Sequence, residues 1–357
     1  MHADVFWKPT LISEARYVES LRKTAIRASP QTEKKVFATV LVVNPNSCSG
    51  LTGKNWNALF AKFKGIFGDN IKVAFSERPG HGTELTRSLL RKGFSRIIAI
   101  GGDGTINGVA NGFFEGNTGI HSGRRTSTPR IINPDATIGI VPCGTRNVLV
   151  KSLDLPVGIV ECCRNFVGGS RRTIDVITAS ATDPETGNRL PPRIFLNAAE
   201  IGFPAEMITR AKKIRSKVKS RTLSTIAAPI ATMPSYESNL CEFFVDGRKK
   251  SMNMTMGVVA NGRFLGGGFM AAPSAEVNDG LLDLVVMKDS GSFKMLDELV
   301  NVKGGTYASE DNILYSKARS VLIKSKERQV TVTIDGEPAG VLPTAFQVLP
   351  SVLNVVL

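Results

Sequence analysis

Hallmarks of several common protein classes are missing from this sequence of 357 residues. No apolar run reaches the roughly 18 residues that a membrane-spanning helix needs, which disfavours an integral membrane protein. Five cysteines include no CxxC spacing, so neither a disulfide framework nor a zinc site is indicated. The three histidines, His2, His81 and His121, lie in settings that disfavour a Ser-His-Asp triad. The N-terminal residues are too acidic and irregular for a signal peptide, and we expect a cytoplasmic chain.

Two familiar phosphate-binding motifs are missing as well. The sequence contains no GxxxxGK[ST], which excludes a P-loop. A GxGxxG pattern laid on Gly102 and Gly104 meets Asn107 where its third glycine belongs. That mismatch disfavours a dinucleotide-dependent dehydrogenase.

Positive charge is in excess and is concentrated in one segment. Lys and Arg number 45 against 31 Asp and Glu, which gives a formal net charge of +14. Residues 210–221, RAKKIRSKVKSR, are rich in Lys and Arg and contain no acid. Such a basic run suits an anionic membrane surface, nucleic acid or a phosphate-rich ligand, and a solvated helix face would have the same composition.

Hydrophobic periodicity divides the chain into segments. Residues 1–35 are polar and lack a strand pattern, so we interpret them as an N-terminal extension. From 36 to 174, short apolar strands alternate with amphipathic helices, which predicts an α/β domain with a parallel sheet. Residues 175–344 are mostly strand-like, with DG turn signals at 246–247 and 335–336, and predict an antiparallel β domain with helical insertions.

The ends of the four strands predicted in the first domain are built of small and polar residues. In an open parallel sheet these ends lie along one edge, just before helix N-termini, and ligands bind there. Small residues let backbone N–H groups approach an anion closely, and a helix N-terminus adds positive potential. We therefore predict that this edge binds phosphate groups, through segments 44–50, 76–83, 101–105 and 142–145.

Asp103 lies among the glycines of one of these loops, GGDGT. A carboxylate beside bound phosphates repels them unless it holds a cation, orients a hydroxyl group or accepts a proton. Aspartate also commonly accepts hydrogen bonds from turn amides, with no functional role. The residues alone leave these alternatives open.

Six motifs, taken in order, resemble a known family. They are NPNSCSG, SERPGHGTELTR, GGDGTINGVANGFF, PCGTRN, GFMAAPSAEVNDGLLDLVV and TIDGEPAG. From 36 to 357 the sequence is similar to the diacylglycerol kinase catalytic family. That family includes bacterial diacylglycerol kinases, YegS-like lipid kinases, sphingosine kinases and ceramide kinases, and it shares an ancestral fold with the NAD kinases.

The resemblance implies a fold and an activity. The fold would be a Rossmann-like nucleotide-binding domain of the NAD kinase type, followed by an antiparallel β-sandwich domain. The last strand, residues 345–357, would return to the first domain. The activity would be phosphorylation of a hydroxyl group on a diacylglycerol-like lipid, with ATP and Mg²⁺, at the cleft between the domains.

The same resemblance assigns roles to residues of this sequence. Asp103 would be essential near the phosphates, and Glu337 would be the general base that accepts the hydroxyl proton. A structural Mg²⁺ would be bound by one carboxylate and two main-chain oxygens, those of Asp279, Glu276 and Leu281. The nucleotide contacts would be Asn44, Ser76, Gly102, Asp103, Gly104, Thr105, Ile106, Asn107, Gly108 and Thr145.

Three positions depart from the family pattern. Relatives often read GTGND where this chain reads GTRNV, so Arg146 replaces a glycine and Val148 replaces an acid. Arg146 is long enough to meet a phosphate directly. Asn278 stands where many relatives have a second aspartate, which lowers the charge at the expected metal site. The resemblance further implies a charged pair between the domains, Asp175 with Lys217 or Lys219.

Other functions remain open at this point. One is a soluble-substrate kinase related to the NAD kinases, and another is a basic protein that binds nucleotides or nucleic acid without kinase activity. The basic run has no aromatic residue to stack on bases, so we expect no nucleic-acid partner. The expected partners are a lipid substrate and an anionic membrane surface touched peripherally, with a homodimer left open.

Overall fold

In the computed structural model, residues 39–115, 129–218, 236–266, 268–288 and 312–356 are described. The predicted N-terminal extension, the helical insertion expected around 292–303 and Lys219 lie outside these ranges.

The first region is a parallel sheet with helices. Its strands pair in the order β4, β3, β1, β2, and every pairing among them is parallel. The strands consist mainly of β-branched and other apolar residues, which favour a pleated sheet buried on both faces. The strands are β1 Thr39–Val43, β2 Ile71–Phe75, β3 Arg96–Gly101 and β4 Thr137–Pro142. The helices are α1 Leu51–Lys54, α2 Trp56–Phe67, α3 His81–Arg91, α4 Asp103–Asn111, α5 Val148–Ser152 and α6 Ile159–Gly168.

The second region is built of antiparallel strands and carries one described helix, α7 (Phe203–Val218). Both DG dipeptides form the predicted hairpin turns, with the aspartate and the glycine at positive φ: 46° and 82° at 246–247, and 47° and 76° at 335–336. The strands are β5 Arg171–Thr182, β6 Arg193–Phe195, β7 Ala198–Gly202, β8 Asn239–Val245, β9 Arg248–Ala260, β10 Leu282–Lys288, β11 Ile313–Ala318, β12 Ser320–Ser325, β13 Thr331–Ile334 and β14 Glu337–Val356.

One long strand joins the two regions. β14 has 20 residues and pairs antiparallel with β13, β12 and β5 before its end lies parallel to β4, with Asn354 opposite Thr137. All strands in the described ranges therefore belong to a single 14-stranded sheet. The boundaries expected at 174/175 and 344/345 fall inside β5 and β14, because both strands contribute apolar side chains to the cores of both regions.

Each region has its own hydrophobic core. Two clusters of buried side chains cover opposite faces of the parallel sheet, one including Ile97 and Ile138, the other Leu41 and Ile98. A third cluster gathers buried side chains from each of the strands β5 to β14, among them Phe243 and Phe346. Strands that share one core in this way face each other across it.

Candidate active site

The loops after β3 and β4 meet through two glycines. A Cβ atom on Gly144 would lie only 2.5 Å from the Cα of Gly102, so no larger residue fits there without movement. Gly144 N–H also donates to Asn147 Oδ1 at 3.0 Å, which holds the second loop in its turn. The close approach leaves backbone groups, rather than side chains, at this edge of the sheet. That is the feature expected of an anion-binding edge.

Hydrogen bonds between the strand-end loops fix the edge. Asn44 Nδ2 donates to Thr105 Oγ1 at 3.0 Å, and the Asn44 N–H donates to the carbonyl oxygen of Ile100 at 3.0 Å. Ser76 donates from both its N–H and its hydroxyl to the carbonyl oxygen of Val43, at 2.8 and 3.3 Å. The structure thus brings Asn44, Ser76 and Thr105 to the same edge, where they position the loops.

The residues from Gly102 to Gly108 differ in how far they are exposed to solvent, and therefore to a ligand. Gly104 faces open space, since a Cβ there would meet nothing within 4 Å. Ile106 is fully buried in the core and Asn107 is only 8% exposed. The Ile106 N–H donates to the carbonyl oxygen of Gly102, and the Asn107 side chain donates to Asp335, whereas Thr145, in the loop after β4, is exposed. The nucleotide contacts of this run stay a prediction.

Asp103 is the first residue of α4, and its carboxylate reaches the neighbouring helix α5. Asp103 Oδ1 accepts a hydrogen bond from the N–H of Leu149 at 3.1 Å. Burial raises the pKa of Asp103, while the amides of Leu149 and Val148 and the charge of Arg146 act in the opposite direction. The carboxylate therefore ties the GGDGT loop to the loop that carries Arg146.

Asp335 links the two regions, a role that the sequence analysis missed. Asp335 Oδ2 accepts a hydrogen bond from Asn107 Nδ2 of α4 at 2.6 Å. Its two carboxylate oxygens also accept from the N–H groups of Leu196, Asn197 and Ala198, at 3.3, 3.2 and 3.0 Å. Burial, together with the nearby charge of Asp103, raises the pKa of Asp335 to about 6. The two aspartates are thus close enough to interact across the cleft.

Glu337 begins β14, two residues after Asp335. It is exposed and lies opposite Ile334 in the β13–β14 hairpin. The hydrogen bond from Asn107 holds the turn of this hairpin against α4, and Glu337 is the first residue of the strand after that turn. Its role as a general base stays a prediction.

Glu200 is a second buried acid that the sequence analysis missed. It lies on β7, is 5% exposed, and accepts a hydrogen bond from Thr333 Oγ1 at 2.7 Å. Burial and the charge of Asp335 raise the pKa of Glu200 to about 7, and the charge of Arg146 acts against this rise. A single acid within the apolar run NAAEIGF was the signal that could have found it.

Two family models match this chain. The model described as "Diacylglycerol kinase catalytic domain" matches residues 38–179, and the one described as "YegS C-terminal NAD kinase beta sandwich-like domain" matches residues 198–357. The chain belongs to the diacylglycerol kinase catalytic family. The resemblance drawn from the six motifs is confirmed.

Relatives of this family align along most of the chain. A protein named "Diacylglycerol kinase" from Bacillus subtilis is 25% identical over 320 residues, which cover 89% of this chain and 95% of the relative. One named "Probable lipid kinase YegS-like" from Chromohalobacter salexigens is 26% identical over 273 residues, which cover 76% and 78%.

Solved structures share the fold. A crystal structure of a diacylglycerol kinase from Bacillus anthracis superposes with a TM-score of 0.62 at 20% identity, covering 91% of this chain and 98% of that one. The yeast NADH kinase structure matches with a TM-score of 0.50 at 11% identity, covering 89% and 82%. A mixed α/β fold with a β-rich second region is therefore common to this chain and to these kinases. No helix in the described ranges has the length and hydropathy of a membrane span.

The loop that the family resemblance assigned to Mg²⁺ is held by a lysine. Lys317 Nζ lies 2.7 Å from Asp279 Oδ2 and 3.5 Å from Asp283 Oδ2, and Asp279 Oδ1 accepts from the N–H of Leu281 at 2.9 Å. Both carboxylate oxygens of Asp279 thus have hydrogen-bonding partners, the ammonium group of Lys317 and the N–H of Leu281. Within the described ranges no three His, Cys, Asp or Glu side chains are grouped to hold a metal. The Mg²⁺ site expected at Glu276, Asp279 and Leu281, which uses one carboxylate and two main-chain oxygens, stays a prediction.

Asp175, for which a charged pair with Lys217 or Lys219 was predicted, accepts hydrogen bonds from backbone N–H groups. Asp175 accepts hydrogen bonds from the N–H groups of Gly280 and Ser351, at 2.7 and 2.6 Å. Nearby, Arg172 donates to Asn278 Oδ1 at 2.8 Å. The side chain of Lys217, like Lys219, lies outside the described parts of the chain. Asp175 therefore fastens the 276–281 loop to β14.

If Lys317 holds this loop, divalent cations are not needed for its stability. We expect the melting temperature of the protein without nucleotide to be the same in EDTA and in MgCl₂. Lys317→Met should lower stability by about 1–3 kcal/mol, because it leaves the buried Asp283 without its cation. Lys64→Met is the control, since it breaks an exposed ion pair, with Asp69, and should change stability by less than about 0.5 kcal/mol. A rise in melting temperature on addition of Mg²⁺, abolished by Asp279→Asn, would contradict this expectation and support a metal site at Asp279.

The raised pKa of Glu200 has a consequence for stability. The native chain holds this proton more tightly than the unfolded chain, so the free energy of unfolding should fall as pH rises from about 4.5 to about 7 and then level off. Glu200→Gln removes this titration. We expect a shallower fall in urea melts across this range, and at pH 8 a gain on the order of 3 kcal/mol over the wild type. Glu185→Gln, in an exposed loop, should keep the wild-type slope; equal slopes for all three proteins would contradict the assignment.

Proposed function

We propose that this protein is a lipid kinase that transfers the γ-phosphoryl group of ATP to a hydroxyl group of a diacylglycerol-like lipid. The family membership supports kinase chemistry, and the names of the B. subtilis and C. salexigens relatives support a lipid acceptor. ATP would bind along the glycine-rich edge of the first region. The lipid hydroxyl would enter from the side of the second region.

One contact carries the proposal: the hydrogen bond of 2.6 Å from Asn107 to Asp335. It holds α4, which begins in the GGDGT loop, against the β13–β14 turn that precedes Glu337. Phosphoryl transfer depends mainly on positioning donor and acceptor and on stabilising charge. If Glu337 acts beside the GGDGT loop, this contact would meet the first requirement, the positioning of donor and acceptor.

The chain's own residues account for the steps of the transfer. Backbone amides near Gly102 and Gly144 and the N-terminus of α4 bind the phosphates. The lipid oxygen bonds to the γ-phosphorus while the bond from that phosphorus to the bridging oxygen breaks, and ADP departs. Glu337 accepts the proton of the lipid hydroxyl. A divalent cation bound to the ATP would screen the charge of its phosphates.

A lipid acceptor requires access to a membrane surface. The first part of the basic run lies on α7, where Lys213 is exposed. Each basic residue near an anionic bilayer contributes on the order of 1 kcal/mol to binding. Peripheral attachment through this run, in a cytoplasmic protein, belongs to the proposal.

The decisive experiment is an acceptor panel. Purified protein is incubated with γ-labelled ATP and with diacylglycerol, a sphingoid base, ceramide or NAD, the lipids being presented in vesicles with and without anionic phospholipid. We expect labelled lipid, with more product on anionic vesicles and less at high salt, because salt screens the surface attraction. Label in NAD alone would favour the soluble-substrate kinase. No label in any acceptor, from protein that binds ATP, would favour a nucleotide-binding protein without kinase activity.

The general-base role of Glu337 gives a separate prediction. Glu337→Gln keeps the size of the side chain but cannot take the proton, so kcat should fall by roughly 10²–10⁴-fold with little change in the KM for ATP. The acidic limb of the pH–rate profile should flatten in this variant. Glu185→Gln serves as the control for loss of one exposed carboxylate. A near-normal kcat for Glu337→Gln, or a loss confined to ATP binding, removes Glu337 from the chemistry.

A further inference from the structure

Arg146 crosses the cleft between the two regions. It lies in the loop between β4 and α5, and its side chain is exposed. Its guanidinium reaches the loop that follows β9, where a Cβ added to Gly266 would lie 2.9 Å from Arg146 Nη1. A long side chain therefore occupies space at the mouth of the cleft that the glycine of related sequences leaves open.

The positive charge of Arg146 acts on acids from both sides of the cleft. Burial raises the pKa of Asp103 in the first region and that of Glu200 in the second, and the charge of Arg146 acts against both rises. Asp335 interacts with both of these acids. Arg146 is therefore close enough to acids of both regions, Asp103 and Glu200, to act on their charge.

This arrangement matters for an anionic ligand at the glycine-rich edge. Carboxylates near the bound phosphates repel them, and backbone amides carry only partial charges. A guanidinium is always charged and presents paired N–H donors that match two phosphate oxygens. Arg146 is exposed and follows Gly144 by two residues, so it begins beside the point where the loops after β3 and β4 meet.

We propose that Arg146 binds the terminal phosphates of the nucleotide and stabilises the charge on the phosphoryl group during transfer. The inference rests on the proposed function, because it takes ATP as the ligand of the edge. Arg146 thus supplies a full positive charge, which neither Asp103 nor the backbone amides of the glycine-rich loops can provide. The replacement of a glycine by arginine in GTRN is then a change in phosphate recognition.

The test measures nucleotide affinity without any lipid acceptor. The dissociation constants of ATP, ADP and AMP, with Mg²⁺ present, are determined by calorimetry for wild type, Arg146→Ala and Arg146→Lys. We expect Arg146→Ala to lose about 10- to 100-fold in ATP affinity, less in ADP affinity and nothing in AMP affinity, since one charged hydrogen-bonding group is removed from the terminal phosphates. Arg146→Lys should regain part of the loss, because it restores the charge without the paired donors.

Arg263→Ala is the matched control. Arg263 also bridges the two regions, with its Nη2 2.6 Å from Asp154 Oδ1, and its removal deletes the same charge. It should leave all three affinities unchanged. If Arg146→Ala weakens ATP and AMP equally, or weakens neither, the proposal is wrong. An unchanged melting temperature for Arg146→Ala shows that its affinities report on binding rather than on folding.

The outcome separates this inference from the proposed function. A wild type whose preference for ATP over AMP depends on Arg146, yet which labels no lipid, supports the phosphate contact and rejects the lipid kinase. A wild type that labels lipid while Arg146→Ala keeps the full ATP preference supports the kinase and overturns the role of Arg146.

Discussion

The carboxylate of Asp335 is the interaction on which the site depends. It accepts hydrogen bonds from one side chain of the first region and from three successive amides of the second. Without this acceptor, the buried N–H groups at 196–198 would lose their partner, which costs about 1–3 kcal/mol for each unsatisfied group. The same carboxylate holds α4 beside the β13–β14 hairpin. The position of Glu337 relative to the glycine-rich loops therefore follows from one aspartate in a left-handed turn.

Asp335 lies near two other acids, Asp103 and Glu200, and carboxylates that are close together repel each other. Two features of the chain reduce this repulsion. Glu200 and Asp335 have raised pKa values, about 7 and about 6, so they retain protons at pH values where exposed carboxyl groups have lost them. Arg146 supplies positive charge from the opposite side. Groups with pKa values displaced in this manner are typical of clefts where chemistry occurs. A bound nucleotide would add negative charge near these acids. The pKa values of the acids would then depend on whether the nucleotide is bound.

Local patterns predicted much of the fold, and distant contacts account for what they missed. Strand–helix alternation and glycine at the strand ends identified the parallel sheet and its loops, because both signals lie within short segments. Asp335 and Asn107 are 228 positions apart, and Glu200 and Thr333 are 133 apart, so no periodicity could have paired them. Lys317 contacts Asp279 from 38 residues away, on a strand whose alternation gave no sign of an ion pair. The Mg²⁺ expectation came from the motif around Asp279, which does not include that lysine.

The buried acid Glu200 and the helix that carries the basic run lie on one continuous segment. β7 carries Glu200 at the cleft and passes directly into α7 at Gly202, whose φ of 79° permits the sharp change of direction. α7 has 16 residues and is therefore about 24 Å long. Its first residue, Phe203, is buried in the second region, so the helix is anchored at the end nearest the cleft. In the proposed function, attachment of the basic end of α7 to an anionic surface would therefore hold the strand that carries Glu200 at a fixed place relative to that surface.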